Sequence, residues 1–177
     1  QAMIKLLTVL WGIMLKKANP QDLPKSGFFL GLMFFFYCLS QVYSGISVAA
    51  SIEDFLKSLL IDAVLLSICL RLILQFSGTL SYFKQSLAAL FGTGTIFNLI
   101  ATPIIMIISN SMMNAASINE LDIPAPVSIA LLVIAIWSIV VMAHIFSRVM
   151  SNPSFAMTAA FSYAVINFIV QTSIASL

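Results

Sequence analysis

The sequence predicts an all-α, polytopic membrane protein: five transmembrane helices preceded by an N-terminal interfacial amphipathic helix. Three observations predict it. Hydrophobic residues make up 61% of the chain and charged residues only 8%, whereas a soluble domain would need roughly a quarter charged residues to cover its surface. Apolar stretches long enough to cross a bilayer follow one another, separated by short polar breaks. Basic residues then alternate from one connection to the next, as they do when a chain crosses a membrane repeatedly. A length of 177 residues is filled by these elements, so residues 1–177 read as one transmembrane domain with no separate soluble part. The net charge of +2 is too small to point to nucleic acid. Cys38 and Cys69 lie inside apolar runs and read as small packing residues rather than a disulfide or metal pair.

Met3 reads as the natural start, with Gln1 and Ala2 a preceding remnant. From Met3 to Lys17 the polar positions are Lys5, Thr8, Gly12 and Lys16, which at 100° per residue fall within ~80° of one another on an apolar helix. Trp11 sits beside that stripe, as an interface anchor would. At about 15 residues the segment is too short to span and is expected to lie in the headgroup plane. The rival reading is a signal-peptide h-region, and the interfacial helix is favoured over it because no small-x-small cleavage site follows.

Pro20 and Pro24 then break the helix, each removing a donor and pushing the residue before it out of the helical region. The first span is expected from about Gly27 to Val48, with a Gly27-xxx-Gly31 step for close helix approach. Ser51-Ile52-Glu53-Asp54 reads as a helix start, its acids placed at the positive end of the helix dipole. The second span runs from about Ile52 to Phe76, and Ser77-Gly78-Thr79 is the turn after it. The third, about Gln85 to Met113, carries Ala88-xxx-Gly92, a Gly92-Thr93-Gly94-Thr95 patch and a kinking Pro103. Pro124 and Pro126 set the entry to the fourth span, about Val127 to Met150. After a turn at Ser151-Asn152-Pro153-Ser154 comes the fifth, about Phe155 to Ser176. It has Ala156, Ala160 and Ala164 on one face and Tyr163, Asn167 and Gln171 on another.

Charge sets an expected orientation. Lys5, Lys16, Lys17, Lys25, Arg71, Lys84 and Arg148 fall on one side of the predicted topology, leaving Lys57 on the other. The positive-inside rule then puts the N-terminus in the cytoplasm and, with an odd number of spans, the C-terminus outside; a bacterial inner membrane is the expected location. Glu53, Asp54, Glu120 and Asp122 lie on the opposite side and add little to that assignment. Lys5, Trp11, Lys16, Lys17, Arg71, His144 and Arg148 are the expected cytoplasmic-interface set, with Arg71 snorkelling to headgroups. His144 and Arg148 share a face. A lone histidine with no cysteine, acid or second histidine within a turn reads as a hydrogen-bonded packing residue rather than a metal ligand.

The informative residues are polar ones inside the spans. Counting inward at about 1.5 Å per residue, Gln41, Asp62, Thr102, Ser138 and Asn167 reach a similar depth, with Asn98 slightly deeper. They are expected to form a buried polar layer centred on Asp62. A carboxylate inside a span costs several kcal/mol unless it is neutral, hydrated or partnered. One reading of the layer is an ion or proton site. The other is interhelical glue at about 0.6 to 2 kcal/mol per hydrogen bond, favoured here because no second span-embedded acid is present to relay a proton. Asp62 and Arg71, nine residues apart, lie on opposite faces of one helix and do not pair.

Catalytic signatures are missing: no nucleophile elbow, HExxH or Walker loop, and no metal-spaced histidines and carboxylates. Gly92-Thr93-Gly94-Thr95 lacks the lysine and preceding strand of a phosphate loop, so tight helix packing explains it better. No enzyme, cofactor or metal is expected.

The short amphipathic helix, the break Asn19-Pro20-Gln21-Asp22-Leu23-Pro24 and five spans with a cytoplasmic N-terminus resemble the Yip1 family in its short prokaryotic form. The stretch Leu74-Gln75-Phe76-Ser77-Gly78-Thr79-Leu80-Ser81-Tyr82-Phe83-Lys84-Gln85-Ser86-Leu87 is similar to that family's second turn and third span. The resemblance implies a non-enzymatic scaffold or membrane-organising, trafficking-type factor, and it brings no catalytic residues. The expected partners are membrane lipid and either partner membrane proteins or further copies of the chain. The alternative is a small transporter or channel subunit that uses Asp62 as an intramembrane ion or proton site.

Overall fold

The computed structural model describes residues 2–45, 51–114 and 123–175. Gln1, the expected span ends at Val48 and Ser176, the acids Glu120 and Asp122, and Leu177 lie outside the described residues. Helix makes up 88% of the structure and no strand occurs among the described residues, which is the all-α class predicted. The helices are α1 (Ala2–Met14), α2 (Gly27–Gly45), α3 (Ile52–Phe76), α4 (Phe83–Asn114), α5 (Ala125–Val149) and α6 (Ala156–Ala175). Helices α2 to α6 are each long and apolar enough to cross a membrane, and α1 is a shorter apolar helix. Phe28, Leu60, Ile68, Leu132, Phe161 and Phe168 all point outward, each more than half exposed. An exterior this apolar suits lipid better than water. The architecture is compatible with a multi-pass integral membrane protein.

The local sequence explains the ends of the elements. Ser51 caps α3, its hydroxyl accepting from the Asp54 amide at 3.1 Å and relieving an otherwise unpaired donor. At the other end of α3, Gly78 takes φ +68°, and the Thr79 amide bonds back to the Leu74 carbonyl at 2.9 Å. Glycine reaches that left-handed region at no steric cost. After α5, Asn152 accepts from the Ser154 amide at 3.2 Å to shape the turn into α6.

Helix α4 is the centre of the bundle. Leu87, Ala88, Ala89, Leu90 and Phe91 are all buried; five successive buried residues mean neighbours on every side of the helix. Its glycines let two of those neighbours in close. A Cβ at Gly92 would stand 2.7 Å from Leu10 Cδ2 of α1 and 3.2 Å from Met33 Sδ of α2. One at Gly94 would stand 2.9 Å from the Tyr37 ring of α2. Helix α6 packs its Ala156 and Ala160 face, both buried, along α5.

Two expectations change. The Gly27-xxx-Gly31 step meets no helix: both glycines are exposed, with nothing within 4 Å of a Cβ built there. Close approach happens instead on α4, where the neighbour is a long side chain rather than a backbone. The N-terminal helix also does not continue to Lys17. It stops at Met14, and Lys16 takes φ +60°, so Lys16 leaves the polar stripe that Lys5, Thr8 and Gly12 begin. The chain doubles back there: the Lys17 and Ala18 amides both bond to the Gly12 carbonyl, at 2.7 and 3.2 Å. A Cβ at Gly12 would stand 2.9 Å from that of Ala18.

The rest of α1 is tied into the bundle. Leu10, Ile13 and Met14 are 3%, 0% and 1% exposed against α4 and α5. A second apolar stripe, Ile4, Leu7, Trp11 and Leu15, remains open. Beyond α1, side chains of α4 and α5 hold the backbone of residues 14–23. Trp137 Nε1 donates to the Met14 carbonyl at 3.1 Å. His144 Nε2 lies 2.9 Å from the Ala18 carbonyl. Gln85 Nε2 donates to the Gln21 and Leu23 carbonyls at 3.0 and 2.7 Å. Irregular backbone set against a bundle needs such partners, because each unpaired carbonyl would cost free energy.

Candidate functional site

Five helices converge on one cavity of about 290 Å³. Its polar lining is Tyr37 from α2, Asp62 from α3, Thr93 and Asn98 from α4, Ser138 from α5, and Tyr163 and Asn167 from α6. Asp62 is 9% exposed and sits at the centre of the hydrogen bonding. Tyr37 donates its hydroxyl proton to Asp62 Oδ2, and Tyr163 donates to Asp62 Oδ1 at 3.3 Å. Gln41, one turn along α2 from Tyr37, donates from Nε2 to the Tyr37 hydroxyl at 2.9 Å. The chain Gln41 to Tyr37 to Asp62 to Tyr163 therefore links α2, α3 and α6 through one carboxyl group.

The ring of Tyr37 is held before its hydroxyl can act. It lies 5.1 Å from the Phe91 ring, centroid to centroid, and occupies the space a side chain at Gly94 would fill. A second link runs from Asn98 Nδ2 to the Ser40 hydroxyl at 3.1 Å, and that hydroxyl donates to the Tyr37 carbonyl at 2.8 Å. One turn from Asp62, Ser58 donates to Gln171 Oε1 at 2.6 Å and accepts Gln171 Nε2 on its carbonyl at 3.2 Å.

The residues of the expected layer thus divide. Asp62, Asn98, Ser138 and Asn167 line the cavity, and Gln41 reaches it through Tyr37. Thr102 is buried but does not line it; its hydroxyl donates to the Asn98 carbonyl of its own helix at 2.6 Å. The Ser138 hydroxyl likewise bonds within α5, to the Ala135 carbonyl at 2.8 Å. Asn167, which lines the same cavity as Asp62, has its Oδ1 buried with no hydrogen-bond partner. Tyr37, Ser40 and Tyr163 belong to the network, and Thr93 lines the cavity with its hydroxyl bonded back to the Ala89 carbonyl of its own helix at 2.8 Å; none of the four was among the expected site residues. Their signal was spacing: Tyr37 stands one turn before Gln41, and Tyr163 one turn before Asn167. A buried tyrosine hydroxyl has to find a partner.

The expected interface set gathers differently. Lys5, Lys16, Lys17, Arg71 and Arg148 are exposed, and Trp11 is 47% exposed with its ring edge-on to Trp137 at 6.4 Å. His144 is buried, facing the Ala18 carbonyl, while the Arg148 carbonyl accepts from Gln21 Nε2 at 2.6 Å.

The site can hold together three helices, or offer an acid to a small ligand. An ionised carboxyl group accepts about four hydrogen bonds and Asp62 receives two, which leaves lone pairs for a cation, a proton or water. Among the described residues no group of three histidines, cysteines or acids could hold a metal ion. Fold and site together define a class: an all-helical bundle with five helices of membrane-spanning length around a cavity lined by a single acid. Compared with protein-family models, curated proteins and solved structures, the chain matches none.

Proposed function

We propose that this chain is a non-enzymatic integral membrane protein acting as a scaffold or membrane-organising factor, the role its Yip1 resemblance implies. The observation that supports this is the use of Asp62. Both its oxygens accept tyrosine hydroxyls from other helices, and the one ion pair among the described residues, Lys57 to Glu53 at 2.8 Å, is remote from it on the surface. A carboxylate so engaged joins helices. The open stripe Ile4, Leu7, Trp11 and Leu15 on α1 supplies an apolar face for lipid or a partner span. The proposed orientation has the N-terminus cytoplasmic and the C-terminus outside, in a bacterial inner membrane.

A second reading, a small transporter or channel subunit, is favoured by one observation: the cavity that Asp62 lines is also lined by Asn167, whose buried Oδ1 has no partner. Flux into liposomes reconstituted with purified protein separates the two. A scaffold gives no sodium, potassium or proton flux that differs between wild type and Asp62→Asn. Flux that Asp62→Asn abolishes would replace the scaffold by a carrier. Photo-crosslinkers at Leu7 in native membranes should capture a defined membrane protein or a second copy equally in wild type and Asp62→Asn.

A further inference from the structure

The structure has a second concave region that the reading above does not use, at the end of the bundle where α3 finishes and α4 begins. Lys25, Arg71 and Lys84 line a pocket of about 450 Å³ together with Leu80, Ser81 and Phe83. The three cations come from three separate segments: the stretch before α2, the last turns of α3 and the first turn of α4. None of them is in an ion pair among the described residues. Like charges gathered around one hollow repel each other, and an anion between them would reverse the sign of that interaction.

An apolar groove lies next to this pocket along the same helices. It has a volume of about 480 Å³ and runs between α2 and α3 over Leu87 and Phe91 of α4. The two hollows share no lining residue, but their linings are neighbours along the same three segments: Lys25 stands two residues before Gly27, Arg71 one turn after Ile68, and Lys84 one turn before Leu87. From Gly27 to Phe34 the groove wall covers about 10 Å of helix at 1.5 Å per residue. The groove is open because Gly27 and Gly31 have no side chains to fill it. That also gives these glycines a role, since no helix approaches them.

We propose that pocket and groove together form the seat of one anionic phospholipid. Its phosphodiester lies among Lys25, Arg71, Lys84 and the Ser81 hydroxyl, and an acyl chain lies along Gly27 and Gly31. Charge selects the headgroup, and an apolar groove within a turn of the cations selects a lipid over a free anion. The inference rests on the membrane reading of the chain but not on the scaffold role or on which side faces the cytoplasm.

Native mass spectrometry of the purified protein tests it, with equal amounts of phosphatidylglycerol and phosphatidylcholine supplied. Wild type should retain one phosphatidylglycerol at least tenfold in preference to phosphatidylcholine. Arg71→Gln with Lys84→Gln should lose that retention at least fivefold, Arg71→Lys should keep most of it, and Lys57→Gln at the opposite end should match wild type. Gly31→Leu, whose Cβ would meet nothing within 4 Å, should also lose the lipid by filling the groove. Melting in lipid-free detergent shows that each variant is folded. Equal retention of both lipids, or unchanged retention in the charge variants, overturns the proposal. So does displacement by low millimolar inorganic phosphate or full retention in Gly31→Leu, either of which would make the ligand a free anion or a headgroup alone.

Discussion

Leu10 of α1 occupies the space that a side chain at position 92 of α4 would take, its Cδ2 standing 2.7 Å from where a Gly92 Cβ would be. The N-terminal helix is therefore keyed into the bundle by a missing side chain. Gly92→Ala meets only the flexible tips of Leu10 and Met33 and should be absorbed with a small loss. Gly92→Leu should overpack the site and destabilise by about 1–3 kcal/mol, and Leu10→Ala in the same chain should recover part of it. Thermal melting in detergent checks this. An unchanged melting temperature for Gly92→Leu would mean that α1 is not seated there.

The Asp62 network should respond asymmetrically. Tyr37→Phe leaves a carboxylate oxygen and the Gln41 amide each short of a partner, so it should cost about 0.6–2 kcal/mol. Asp62→Asn can still accept from one tyrosine and should cost less than Tyr37→Phe. If Asp62→Asn proved the more damaging of the two, the carboxyl charge itself would be doing something the hydrogen bonds do not explain.

Gln85 holds the carbonyls of both Gln21 and Leu23. Gln85→Leu leaves the pair unsatisfied, at about 1–3 kcal/mol for a buried polar group. The loss should be local: faster hydrogen exchange and proteolysis across residues 15–24, with α5 and α6 unaffected. Uniform loosening of the whole molecule would contradict the docking of that segment as a separate strap.

Lys16 sits at φ +60°, where a side chain costs roughly 1–2 kcal/mol and glycine nothing comparable. Lys16→Gly should therefore stabilise the turn after α1 by about 1 kcal/mol. A melting temperature that falls instead would show the Lys16 side chain making a compensating interaction.

Much of the architecture was legible because lipid imposes a simple rule. Every backbone polar group in a span must be satisfied within its own helix, so long apolar runs announce helices, and Ser51 and Gly78 announce their ends. The central position of Asp62 among the polar residues was also readable, since a span-embedded acid stands out by type alone. Asn167 and Asn98 stood out in the same way, but the tyrosines did not. Tyr37 and Tyr163 carried only their one-turn spacing to Gln41 and Asn167, and that spacing points to Asp62 only once the neighbouring helices are placed around them.

What the amino-acid order determined by itself was the number of membrane-length helices and the presence of one acid well inside them, because hydropathy and capping act over a few residues. Only the packed bundle decided that Tyr163 should meet Asp62 across 101 residues of chain, that Gly92 rather than Gly27 and Gly31 should admit a neighbour, and that residues 14–23 should be strapped to α4 and α5. The physical reason is that helix faces choose partners by shape. A glycine invites close approach, but whether a helix, a side chain or an open groove lies opposite depends on how all six helices pack at once.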